Sequence, residues 1–296
     1  MKTGGVLALG ALMASAACAD RVETQLVDWT CDGERVTVPH TWNAVDGADG
    51  LPPGEKRQGN AAMSENCYAR KRVRYVRALP DPKPGKRYFL RFEGASTKAS
   101  VWVNHWPIGR HSGAYTAFTF EITEALQAQS NRVEVVVDNR YDPDVPTISA
   151  DFTVFGGLYR DVWLYETDPV CVDPTRYPRI LSANPDSGYT IAEVPMLGTD
   201  DLHLERRFPE HDLWSPENPK LYTFTAKYGK DEIKGYFGMR KIERRKDAKG
   251  VWRFFLNNKP YYLLGTLDQG WWPDGLLTPP SAEACAFDIR TLKDCG

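Results

Sequence analysis

Between residues 72 and 164 the apolar side chains recur at every second position. Val133, Val135 and Val137 make one run, Val101 and Val103 another, Tyr88, Leu90 and Phe92 a third, and Phe118, Phe120 and Ile122 a fourth. A period of two places each set on one face of a β-strand, a spacing that a helix of 3.6 residues per turn cannot use. The segments between the runs are turn formers, such as Asn104-His105-Trp106-Pro107-Ile108-Gly109 and the rigid, hydrated Pro80-Asp81-Pro82-Lys83-Pro84-Gly85. Only residues 122–126 offer a short helical turn. Short strands joined by turn clusters predict a mainly β chain with a jelly-roll β-sandwich over residues 20–168. Val101, Val103, Val133, Val135, Val162 and Leu164 are its expected core.

With 42% apolar and 26% charged residues, the chain has the composition of an ordinary globular protein. A net charge of −2 and the absence of any run of five basic residues give no case for a nucleic-acid partner. Nine Trp and fourteen Tyr suit stacking against sugar rings, and they fill a sandwich core equally well.

Residues 1–19 read as a secretory signal peptide: Lys2, an apolar stretch from Val6 to Met13, and the small residues Ala17-Cys18-Ala19 before Asp20. Export to the periplasm or the extracellular space follows. Cys18 is an alternative lipid-attachment cysteine, which would make the protein a surface lipoprotein. No other run approaches the ~18 apolar residues of a membrane span. The cysteines after the leader, Cys31, Cys67, Cys171, Cys285 and Cys295, show no metal-ligand spacing. Cys31 and Cys67 are the nearest pair for a disulfide, and isolated thiols are the other reading. No metal or cofactor is implied.

The run Asp151-Phe152-Thr153-Val154-Phe155-Gly156-Gly157-Leu158-Tyr159-Arg160-Asp161-Val162-Trp163-Leu164 joins an acidic loop, a Gly-Gly turn and an alternating strand. Residues 169–245 form a second, weaker β region. Leu213-Trp214-Ser215-Pro216-Glu217-Asn218-Pro219-Lys220-Leu221-Tyr222 leads into a strand carrying Phe224 and Ala226, and a last strand follows over residues 235–242. Residues 179–199, rich in Pro, Gly, Ser and Asp, show little strand pattern. The region is also shorter than the about 100 residues of a complete seven-stranded sandwich. From residue 246 onward, Leu256-Asn257-Asn258-Lys259-Pro260-Tyr261-Tyr262-Leu263-Leu264-Gly265-Thr266-Leu267 reads as a turn and a buried strand, and Ser281 as the N-cap of a helix ending near Cys295.

These motifs together resemble glycoside hydrolase family 2, the β-galactosidase, β-glucuronidase and β-mannosidase family. Val38-Pro39-His40-Thr41-Trp42-Asn43 is similar to its early VPxxW segment. Val101-Trp102-Val103-Asn104 with Gly109 is similar to its strand-plus-turn motif, with His105 where a glycine is usual. The run from residue 151 to 164, the LWSPENPxLY segment and the LNxKPYYLLG entry complete the likeness. The resemblance implies a sugar-binding jelly roll over 20–168, a shortened immunoglobulin-like domain over 169–245, and the start of a (β/α)8 catalytic barrel, truncated, over 246–296. A whole barrel takes about 250 residues.

The family likeness implies that Asp151 reaches into a barrel active site and accepts hydrogen bonds from sugar hydroxyls. A loop-capping role, in which Asp151 bonds nearby amides, is the alternative. Asp268, Trp271, Trp272 and Asp274 follow the first barrel strand at the end where barrel active sites lie, and they suit a sugar subsite. The Trp pair could equally plug the barrel mouth. The family's usual G-x-N-x-H is here Gly265-Thr266-Leu267-Asp268-Gln269, so the sugar is left open. Arg160 and Asp161 read as an ion pair or turn lock at the strand start.

Retaining hydrolysis of a glycoside needs two carboxyl groups about 5–5.5 Å apart. The family supplies glutamates from later barrel strands, one following Asn, and no Asn-Glu dipeptide occurs here. No GxSxG, HExxH or P-loop substitutes for them. The expectation is a family 2 glycosidase by descent that recognises β-linked oligosaccharides or glycosides, with these 296 residues inactive alone. A non-catalytic carbohydrate-binding sandwich is the alternative.

Overall fold

The computed structural model describes residues 21–45, 69–145, 154–229 and 231–296. They divide into two units, one of residues 23–166 with 268–296, the other of residues 167–267 with Arg21 and Val22.

The first unit is a β-sandwich. Its strands are β1 (Val22–Gln25), β2 (Asp28–Cys31), β3 (Glu34–Thr37), β4 (Arg72–Ala78), β5 (Arg87–Phe92), β6 (Lys98–Val103), β7 (Trp106–Ser112), β8 (Phe118–Glu121), β9 (Arg132–Asp138) and β10 (Val162–Thr167). One sheet has the order β3-β2-β4-β9-β6-β7 and the other β1-β10-β5-β8. All three alternating valines of β9 are buried, as are Val101 and Val103 of β6 and Val73 and Tyr75 of β4. They share one core with Leu90 and Phe92 of β5 and Val162 and Leu164 of β10. All six expected core residues are therefore buried. Removing each such side chain from water is worth about 1.5–3 kcal/mol, so the period-two pattern is the main stabiliser of this unit.

Two local details follow from the sequence. The β6–β7 turn uses Asn104 and His105 with φ of 49° and 72°. A two-residue hairpin of type I′ needs positive φ at both central positions. His105 thus accepts the backbone geometry that glycine gives most easily, and the hairpin is kept. The expected helical turn is a 3-10 turn at Thr123–Ala125, where the Thr123 hydroxyl accepts from the Tyr88 amide at 2.9 Å.

The second unit corrects one expectation. Residues 179–199 do carry strands: β12 (Arg179–Ala183), β13 (Tyr189–Val194) and β14 (Met196–Leu197), after β11 (Cys171–Val172) and before β15 (Leu202–Arg207). The inward positions of β13 are Thr190, Ala192 and Val194. Small and polar residues on the buried face hid the alternation. β12, β13 and β15 form one sheet, and β16 (Tyr222–Tyr228) pairs with β17 (Asp231–Phe237). The core is small, with Val172, Val194, Met196 and Ala226 at its centre. A buried ion pair adds to it: Arg21 Nε lies 2.9 Å from Asp231, whose other oxygen accepts the Val172 amide at 2.7 Å.

A meander follows, of β18 (Ile242–Lys246), β19 (Trp252–Leu256) and β20 (Lys259–Pro260). Asn257 and Asn258, at φ of 51° and 67°, make its tight turn. The buried strand expected over residues 261–264 is not formed: residues 261–270 hold no regular secondary structure, and Tyr262, Leu263 and Leu264 are exposed. A central parallel strand needs hydrogen-bonded neighbours on both sides, and none pairs with this segment among the described residues. The helix is present as expected, Ala282–Asp294, with the Ser281 hydroxyl capping the Ala284 amide at 3.1 Å.

Candidate functional site

The Gly-Gly loop is built from its backbone outward. Gly156 and Gly157 are packed so closely that a side chain could not fit. A Cβ at Gly156 would stand 1.8 Å from the Trp42 ring, and one at Gly157 2.2 Å from the His40 carbonyl. The indole thus packs directly against bare backbone. Gly157, at φ 129°, also adopts a conformation that L-residues avoid.

Two buried asparagines fix the same loop. Asn43 Oδ1 accepts the Gly156 amide at 2.7 Å, and Asn139 Nδ2 donates to the Val154 carbonyl at 2.9 Å. Asn139 Oδ1 also accepts the Lys71 amide at 2.8 Å, and Asn43 donates to the Ala69 carbonyl at 3.0 Å. Bridges from His40 to Leu158 and from Ser96 to Gly157 close the loop. Trp42 and Asn43 fall in the VPxxW segment, whose residue types gave the family likeness but not their partner loop. Asn139 had no sequence signal beyond a polar residue at the end of a valine run.

The segment after residue 268 lies against this loop. Trp271 meets Phe155 edge-to-face, with ring centroids 5.4 Å apart. The Thr278 hydroxyl donates to the Tyr159 carbonyl. Tyr159 is itself held by a hydrogen bond from its hydroxyl to the Ala114 carbonyl, and burial pushes its phenol up to about 12. Two stretches more than a hundred residues apart, the Gly-Gly loop and the segment after residue 268, are therefore neighbours.

The individual candidates fall out as follows. Asp151 lies outside the described residues. Trp271 remains partly exposed beside Phe155, so one face of the indole can receive a ligand. Trp272 pairs through its backbone with Leu276, closing a turn. Asp268 accepts the Gly270 amide at 2.7 Å and Asp274 the Gly275 amide at 2.9 Å. Each uses Oδ1 to hold its loop, which leaves Oδ2 for a hydroxyl donor. Arg160 does not pair with Asp161: its guanidinium lies over the Tyr159 ring at 5.6 Å, while the Asp161 carbonyl accepts the Glu93 amide at 2.9 Å. A guanidinium over an aromatic face gains about 0.5–1 kcal/mol even at an exposed site, and Arg160 is exposed.

The first unit is thus a two-sheet β-sandwich whose Gly-Gly loop packs against a tryptophan. The family model for the glycosyl hydrolases family 2 sugar binding domain matches residues 60–168, and that for glycosyl hydrolases family 2 matches residues 184–240, together more than half of the chain. The chain belongs to glycoside hydrolase family 2. Among its relatives, a β-glucuronidase of Bacteroides fragilis is 40% identical over 147 residues, covering 49% of this chain and 19% of that protein. A β-galactosidase of Thermoanaerobacter pseudethanolicus is 28% identical over 219 residues, covering 61% and 29%. The crystal structure of a Bacteroides uniformis β-glucuronidase superposes with a TM-score of 0.69 at 25% identity, over 94% of this chain and 39% of that one. The chain thus spans less than a third of the length of these two curated relatives.

Proposed function

We propose that this chain is the sugar-recognising part of a β-glycosidase, acting on β-linked glycosides in an exported protein. The observation that carries the reading is the Trp271–Phe155 contact, 5.4 Å between centroids. It brings the aromatic loop of residues 268–278 to the Gly-Gly loop, the two stretches in which sugar-binding residues were expected. Trp271 supplies a stacking face, and the free oxygens of Asp268 and Asp274 supply acceptors for hydroxyls. Asp151, five residues before Gly156 in sequence, is proposed as a further acceptor. Cleavage needs a proton donor and a nucleophile besides these contacts, and neither role falls to the residues above.

Calorimetric titration with nitrophenyl β-glucuronide, β-galactoside and β-mannoside tests this reading, each run beside an assay for nitrophenol release. The expected result is binding of at least one glycoside without turnover, weakened about tenfold by Trp271→Ala, the size of one lost stacking contact. Absence of binding across the panel, or full affinity in Trp271→Ala, contradicts it.

A further inference from the structure

The outer face of the six-stranded sheet carries a second arrangement that the loops above do not use. On β6 the inward residues are Ala99, Val101 and Val103, so Lys98, Ser100 and Trp102 face outward. Strand register sets Trp102 beside Glu134, Ser100 between Val136 and Arg110, and Lys98 beside Asp138, which on its other side faces Arg72. Diagonal neighbours across strands lie about 7–8 Å apart, within reach of long side chains. Trp102 stands between two shallow hollows, of about 330 and 210 Å³, and lines both.

The charge on this face is not balanced. Lys98 is taken by Asp142 at 2.6 Å, Asp138 by Arg140 at 2.7 Å, and Glu134 is shared by Arg74 at 3.7 Å and Arg132 at 4.0 Å. Burial opposes ionisation of Asp138, but the hydrogen bonds and charge of Arg140 outweigh it and hold the carboxyl below its ordinary range. Arg72 and Arg110, both lining the larger hollow, have no ion-pair partner among the described residues. A chain of net charge −2 therefore places two guanidinium groups without an ion-pair partner among the described residues in one hollow with an outward-facing indole.

We propose that this face binds the chain of an acidic polysaccharide. The Trp102 indole stacks on a pyranose ring, and Arg72 and Arg110 take the anionic substituents. A planar guanidinium receives a carboxylate or sulfate bidentately, and an aromatic face receives the apolar side of the ring. Neutral glycans would use the indole and leave the arginines idle. Nucleic acid would use the arginines, but among the described residues the face offers it only one indole platform and no basic groove.

The test measures binding of the 296-residue chain to four polymers. Polygalacturonate carries carboxylates only and dextran sulfate carries sulfates only. Dextran is neutral, and a single-stranded oligonucleotide is a polyanion without pyranose. Expected is binding to polygalacturonate, to dextran sulfate or to both, lost at high salt as screening requires, with dextran and the oligonucleotide at least about tenfold weaker. Trp102→Ala and the double change Arg72→Ala with Arg110→Ala should each weaken binding about tenfold or more. Arg110 lies on the edge strand β7, so the arginine pair reports even if Trp102→Ala impairs folding. The proposal is overturned if neither acidic polymer binds, if the oligonucleotide binds as well, if the arginine changes leave affinity intact, or if they only alter self-association.

Discussion

Gly156 is where one atom decides the most. Trp42 rests on its backbone, and a methyl group there would overlap the ring. Gly156→Ala should therefore destabilise the sandwich by about 1–3 kcal/mol, the usual cost of overpacking, read as a shift of the urea midpoint at unchanged slope. His40 gives a second residue-scale expectation. Its ring nitrogen lies 2.8 Å from the Tyr75 hydroxyl, and burial, with Lys71 nearby, lowers its pKa below 6.5. The unfolded chain then binds the proton more readily than the folded one. Stability is full above about pH 6.5 and falls as pH drops toward the lowered folded value. His111, also lowered by burial, acts with the same sign. The carboxylates Asp138 and Asp142 are depressed below 3.8 and lose their contribution only at more acid pH. Melting curves between neutral pH and pH 5 should show a decline that His40→Gln reduces; an unchanged decline would remove His40 from the account. At this scale the sequence exposed the glycines, because only a sharp turn or close approach asks for two in succession. It did not expose Asn43 and Asn139, because a buried amide and a surface amide read alike until their partners are known.

Among the elements, those whose buried positions hold large apolar residues were the legible ones. β9, with its three buried valines, and β6 were unmistakable. β13, which buries Thr190 and Ala192, was not. The strand expected over residues 261–264 failed for the opposite reason: its residues are suitably apolar, but pairing partners and not composition make a strand. The core residues from Leu26 to Leu164 form one cluster without help from the second unit. A fragment of residues 22–168 should consequently unfold in a single cooperative transition with a β-type circular dichroism spectrum. A broad, non-cooperative melt would show that the sandwich depends on the rest of the chain. The final helix was recognised from its Ser281 cap, and the capping bond is present.

For the whole molecule, family and architecture were readable because several weak motifs occurred in the right order. The contact that makes a site of two of them was not, since Phe155 and Trp271 meet only through the fold. No helix among the described residues is long and apolar enough to cross a membrane. The account's central claim is that the loop of residues 268–278 and the Gly-Gly loop form one sugar-binding surface. Hydrogen–deuterium exchange of the 296-residue chain, with and without whichever β-glycoside binds most tightly, tests this claim most directly. The account predicts that saturating glycoside slows exchange in residues 154–160 and 268–278 together. Protection confined to one of these stretches, or appearing only elsewhere, would contradict it.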